Sequence, residues 1–177
     1  KKLQPMKALK SLYALLLLSL MTGAFFTACN DTDDGSYVAP ITLGEKIQGK
    51  WTLKSIRQVD ETNGQALDLT GKFNFTSFTI DLKVDADNVP TSFLIEGSAP
   101  ALLPTTGTWN MEKPFTNADG TASKILLYSD ASQSKKAGEL TVTATPGANR
   151  VLEFKMTRKV KGQPFVSYVY NLVPVTE

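Results

Sequence analysis

Glu139-Leu140-Thr141-Val142-Thr143-Ala144-Thr145, followed by Pro146-Gly147, is the stretch whose reading decides the fold. Polar and apolar residues alternate with a period of two, which puts every second side chain on one face of a strand, and Pro-Gly then turns the chain. The same signature recurs outward in both directions. Downstream lie Val151 to Lys159, a turn at Gly162, and Phe165 to Val175. Upstream, Asp119-Gly120 turns the chain into Lys124–Tyr128, and Gly107–Met111, Thr91–Glu96 and Phe73–Val84 read as earlier strands. The first strand starts at Trp51, runs to about Val59 and ends before the turn dipeptide Asn63-Gly64. Ala99–Pro104 is a proline-punctuated connection, and Leu43–Gln48 leaves room for one helical turn.

Short strands joined by regular turns make a sandwich or a barrel. A meander of about eight strands suits a closed up-and-down barrel, whose interior is filled by side chains or holds one small ligand. The fold expected is therefore all-β, an antiparallel barrel of about eight strands with one short N-terminal helical turn. An immunoglobulin-like sandwich of adhesive function is the rival, and it would show Greek-key connections and two open edges.

The chain before this region has a different character. Met6 is read as the initiator, and Met6-Lys7-Ala8-Leu9-Lys10 gives a basic start. Ser11–Ala28 has no charge, with a core of Leu12–Leu20 that is close to pure hydrocarbon. A basic n-region, an apolar h-region and small residues at its end mark a secretory signal peptide. A transmembrane anchor is the competing reading, since spanning a bilayer takes ~18 to 20 such residues. Phe26-Thr27-Ala28-Cys29 resembles the lipobox of bacterial lipoproteins, in which the cysteine is lipidated and becomes the first residue. Cys29 is the chain's one cysteine, so no disulfide competes for it. Asn30-Asp31-Thr32-Asp33-Asp34 resembles the acidic surface-export signals of some Gram-negative lipoproteins. These readings imply a leader over 1–28, a lipidated acidic tether over 29–40 and a barrel domain over 41–177. They also imply an outer-membrane address facing the cell exterior.

Charge must be recounted without the leader. All 17 acidic residues follow Cys29, whereas Lys1, Lys2, Lys7 and Lys10 precede it, leaving 15 basic residues and a net charge of −2. Nucleic-acid binding needs a strong basic footprint, and none is present. The chain has no histidine, which removes Ser-His-Asp and Cys-His nucleophiles and histidine metal ligation. Asp85-Ala86-Asp87-Asn88 and Asn117-Ala118-Asp119-Gly120 hold the densest carboxylates, but Asx residues favour turns, and both fall where turns are needed. The expectation is no enzyme, no cofactor and no metal.

Gly49-Lys50-Trp51, preceded by the short helical turn, resembles the G-x-W motif that opens the first strand of lipocalins. The likeness extends over Leu43–Val175 by pattern, and is nearest to lipocalin-like lipoproteins of Gram-negative bacteria with unassigned function. A second G-x-W stands at Gly107-Thr108-Trp109. The resemblance implies that Trp51 plugs the closed end and that an arginine covers it. In an up-and-down barrel alternate strands run the same way, which brings Arg150 to Trp51 as a cation–π lid and Arg158, facing in, to the open mouth. Candidate ligand contacts are Trp109, Met156, Arg158, Tyr168 and Tyr170, although core packing is the favoured reading of the three aromatics. Lys155, Arg158, Lys159 and Lys161 form a basic stripe that reads as a solvated edge. The function expected is binding of a small or extended ligand, a glycan among the candidates. The alternative is a filled barrel serving as an interaction module for an outer-membrane nutrient-uptake or glycan-handling complex.

Overall fold

The computed structural model describes residues 38–99 and 103–176. The chain divides into two units, Lys1–Ala39 and Pro40–Glu177. The expected leader, Cys29 and the acidic run after it lie outside the described residues. Every helix and strand named below belongs to the second unit.

Among the described residues one helical turn, α1 (Leu43–Ile47), precedes nine strands: β1 (Gly49–Asp60), β2 (Ala66–Asp68), β3 (Thr79–Val84), β4 (Pro90–Glu96), β5 (Thr106–Met111), β6 (Lys124–Tyr128), β7 (Lys136–Ala144), β8 (Leu152–Val160) and β9 (Gln163–Pro174). From β3 to β9 each strand pairs antiparallel with the next, and β1 pairs with both β3 and β9, so eight strands close into an up-and-down barrel. The sandwich is excluded by that closure. The ninth strand, β2, was not expected from the sequence; it is a short hairpin partner of the far end of β1, with Gln58 opposite Leu67.

The expected strand over Phe73–Val84 is cut to its second half. Phe73 and Asn74 both take positive φ (53° and 56°), and Phe75–Ser77 is a single 3-10 turn. Phe75 and Phe78 are buried there. The phenylalanines that suggested a strand serve instead to pin a bent connection to the core.

β1 carries the device that orients the barrel. Its ladder with β9 shifts register between Leu53 and Ser55, so Trp51 and Leu53 face in before the bulge and Ile56 after it. One extra residue moves the inward set from odd to even positions. The inner faces meet in one core that includes Ile80, Leu82, Phe93, Trp109, Leu127 and Phe154. Tyr170 is fully buried between Phe154, stacked at 4.9 Å, and Phe78 at 5.2 Å.

α1 closes one end. Thr42 and Glu45 form a capping box: the Thr42 hydroxyl accepts from the Glu45 N–H at 3.2 Å, and the Glu45 carboxylate from the Thr42 N–H at 2.6 Å. The Leu43 N–H donates to the Pro114 carbonyl at 2.7 Å, tying the turn to the β5–β6 connection. Buried Ile47 accepts from the Trp51 indole N–H at 2.8 Å, so the tryptophan plug is held by the helix above it.

The two G-x-W glycines have different reasons. Gly49 has φ 102°, and a β-carbon there would meet nothing within 4 Å. At Gly107 a β-carbon would stand 2.0 Å from the Tyr128 carbonyl oxygen of the neighbouring strand. In urea unfolding, Gly49→Ala should cost ~1 to 2 kcal/mol for its backbone strain, and Gly107→Ala should cost more, about 3 kcal/mol or above, because backbone must move. Trp109→Ala should lose ~3 to 5 kcal/mol in the same assay, because the side chain is fully buried.

Candidate functional site

Residues directly opposite on paired strands share a face. The registers Gln58↔Tyr168 and Asp60↔Val166 join β1 to β9, and Met156↔Tyr168 and Arg158↔Val166 join β8 to β9. These six side chains therefore converge on the inner face at the end away from α1. Gln58, Asp60, Arg158, Phe165, Val166 and Tyr168 line a cavity of about 330 Å³ at that mouth. Tyr168, 9% exposed, sits where the mouth meets the packed core.

The polar groups of the mouth are set by local chemistry. The Arg158 guanidinium lies over the Phe165 ring, 6.0 Å from its centroid. Asp60 ends β1 and accepts from the Thr62 hydroxyl (2.6 Å), the Thr62 N–H (2.8 Å) and the Asn63 amide (3.1 Å). Those hydrogen bonds, Thr62's first, hold its exposed carboxyl below the usual range, so it is ionised at neutral pH. The mouth thus presents one cation, one anion and one amide around aromatic and aliphatic surface.

The basic stripe does not act as one unit. Lys155 turns to the outer face and pairs with Glu61 at 2.7 Å, beside the hydroxyl pair Thr157–Ser167 at 2.8 Å. Hydrogen bonds from Lys155 and then Ser167 lower the Glu61 carboxyl pKa. Arg158 faces the mouth, whereas Lys159 and Lys161 are exposed.

The structure separates the sequence candidates. Arg158 and Tyr168 line the mouth, and half-buried Met156 lies directly opposite Tyr168. Tyr170 lies in the core, fully buried. Trp109 is equally buried, and its indole N–H donates to the Lys83 carbonyl at 2.8 Å. It stands near α1, where a β-carbon on Gly44 would come within 3.9 Å of its ring. Arg150 is exposed in the β7–β8 turn with φ 50°, its N–H donating to the Gly147 carbonyl. The cover over Trp51 is the carbonyl end of α1, not the arginine. Gln58, Asp60, Phe165 and Val166 were not singled out from the sequence. The bulge after Leu53 hides the parity of the first two, and only the β1–β9 register aligns them with Tyr168.

A second cavity of about 290 Å³ lies at the α1 end, lined by residues that include Thr42, Glu45, Asn88, Pro90 and Asn110. Of its two carboxylates, Glu45 and Asp87, the first is already engaged: Glu45 accepts from Thr42 and, at 3.3 Å, from the Asn88 amide. The Asp85 and Asn117 runs are turns, with Asp85 accepting from the Asp87 and Val89 N–H groups. Among the described residues no three carboxylate, histidine or cysteine side chains gather as a metal site, and no helix is long and apolar enough to cross a membrane.

No curated protein matches the chain, and no solved structure does. A closed eight-stranded antiparallel barrel with a helical turn at one end fits a lipocalin-like fold. One family model, described as Domain of unknown function (DUF5004), matches residues 26–173. The match covers most of the chain and runs through the barrel to Val173, one residue short of the end of β9, and the protein belongs to the DUF5004 family.

Proposed function

We propose that this chain is a non-catalytic lipoprotein, anchored through Cys29 to the outer membrane and facing the cell exterior, whose barrel holds a small or extended ligand at its open mouth. The observation that carries the binding reading is the convergence of Gln58, Asp60, Arg158, Phe165 and Tyr168 on one cavity above a core that is otherwise packed. Ligand sites combine apolar surface with a few fixed polar groups, and about 300 Å³ is the lower end of their usual size. A filled interior leaves a shallow seat, so the ligand is gripped by one end or one ring. A sugar ring suits it, with an apolar face for Tyr168 or Phe165 and hydroxyls for Arg158, Asp60 and Gln58. The filled interior also favours the second reading, an accessory subunit of a nutrient-uptake or glycan-handling complex that presents the mouth to its assembly.

Support for the anchor comes from the lipobox-like Phe26–Cys29, the uncharged leader before it and the acidic run after it. The family match begins at residue 26 and so includes Cys29.

Two measurements test these readings. Detergent-phase partitioning of the native chain should be lost in Cys29→Ser, and retention of the variant in the detergent phase would remove the anchor. Native mass spectra of residues 30–177, taken after exposure to extract of the producing cell, should show a reproducible excess mass that denaturation removes. Arg158→Ala should lose most of that excess at unchanged stability, since its side chain is exposed. A bare mass across several extracts would leave the mouth without a ligand.

A further inference from the structure

The barrel wall is not bonded evenly. β7 and β8 pair only from Thr141↔Lys155 to Ala144↔Glu153, at the end near α1. Beyond Thr141, β7 continues to Lys136 with β6 as its partner, from Ile125↔Leu140 to Tyr128↔Lys136. Beyond Lys155, β8 continues to Val160 with β9 as its partner, from Met156↔Tyr168 to Val160↔Gln163. Each strand therefore stays paired with its outer neighbour, with one register shift in each ladder, and is unzipped from the other along a seam that runs into the mouth.

An antiparallel strand turns its backbone groups alternately to its two neighbours. Along Met156–Val160 every second residue consequently directs its N–H and C=O toward β7, where no ladder partner stands among the described residues. An unpaired strand edge is a template for a further strand. The other short ladder shows what internal filling looks like. β4 and β5 pair only from Ser92↔Thr108 to Leu94↔Thr106, and the wall beyond is stopped by Trp109 and Thr91, which both donate to the Lys83 carbonyl. In the β7–β8 seam no side-chain hydrogen bond crosses the gap among the described residues, although Pro104 of the β4–β5 connection stands beside Gly138 of β7.

Its charge is one-sided. Lys135, Lys136, Arg158, Lys159 and Lys161 flank the two edges, against Glu139 and Asp130; Glu139 is already paired with Lys136 at 3.0 Å, and Asp130 accepts from the Ser132 and Ser134 hydroxyls and the Lys135 N–H. Lys155 does not add to the excess, since Glu61 holds it. We propose that the unpaired β8 edge, Met156–Val160, receives an extended acidic segment of a partner protein by strand addition. Backbone hydrogen bonds supply the affinity, and the flanking cations select the segment's charge. This inference does not rest on the mouth ligand, because it follows from backbone pairing.

The full chain in mild detergent tests it by amide hydrogen exchange, with a capped peptide of about eight residues alternating glutamate and valine as the probe. In the free protein, alternate amides of Met156–Val160 should exchange fast while their β9-bonded neighbours are protected. The acidic peptide should slow those fast amides at least about tenfold, and a lysine–valine counterpart should leave them unchanged. Lys159→Glu, at an exposed position, should weaken the acidic peptide on the order of tenfold. Three results would overturn the proposal: alternate amides already protected without peptide, rates unmoved by the acidic peptide, or equal protection by both peptides. The second would leave the lysines as guards against edge-to-edge association. A missing mouth ligand alters none of these readouts.

Discussion

Closure of β9 onto β1 is the constraint on which the rest of the structure depends. The ladder runs from Trp51↔Pro174 at the helical end to Asp60↔Val166 at the mouth, joining the two longest strands of the barrel. It fixes which residues of both strands face in, and through the next ladder it fixes β8 as well. The bulge after Leu53 sets the phase. With it, Ile56 packs inward and Gln58 and Asp60 reach the inner rim; without it, their places would fall to Ser55, Arg57 and Val59, and the mouth would lose its carboxylate. A single extra residue in β1 thus decides the chemistry some distance away.

The interior follows from that phase. A barrel of eight strands is only just wide enough to be filled, and large side chains such as Trp109, Tyr170, Phe78, Phe93 and Phe154 fill this one. What remains for recognition is peripheral: the mouth above Tyr168, and the wall where β7 and β8 part. Both lie at the end opposite α1, and Arg158 belongs to both. The helical end is committed to structure, through the capping box of Thr42 and Glu45, the Ile47–Trp51 hydrogen bond and the Trp109–Lys83 hydrogen bond.

Much of this architecture was legible in the sequence because it is written in period two. The eight barrel strands, the turns at Asn63-Gly64 and Asp119-Gly120, and the helical turn before Trp51 all follow from local chemistry. The antiparallel order of β8 also put Arg158 correctly at the mouth, facing in. Misreadings arose where tertiary packing overrode local pattern. The Phe73–Phe78 stretch has the composition of a strand, yet Phe73 and Asn74 take left-handed backbone so that Phe75 and Phe78 can enter the core. Trp109 and Tyr170 carry the residue types of a ligand pocket, and the core packing favoured for them from the sequence is the use a narrow barrel makes of such types. Gln58 and Asp60 were invisible because a bulge leaves no reliable mark in a sequence, and the β7–β8 seam because pairing length is a property of register.

These elements bear on how the two open surfaces of the barrel could act together. Pro40 and Ile41 lead into the capping residue Thr42 at the helical end of the barrel. The mouth and the seam open at the other. A ligand at the mouth would sit between Arg158 and Asp60, and a strand on β8 would run past the same arginine. Occupancy of one would then alter the electrostatics of the other through a shared guanidinium, with no change of fold required.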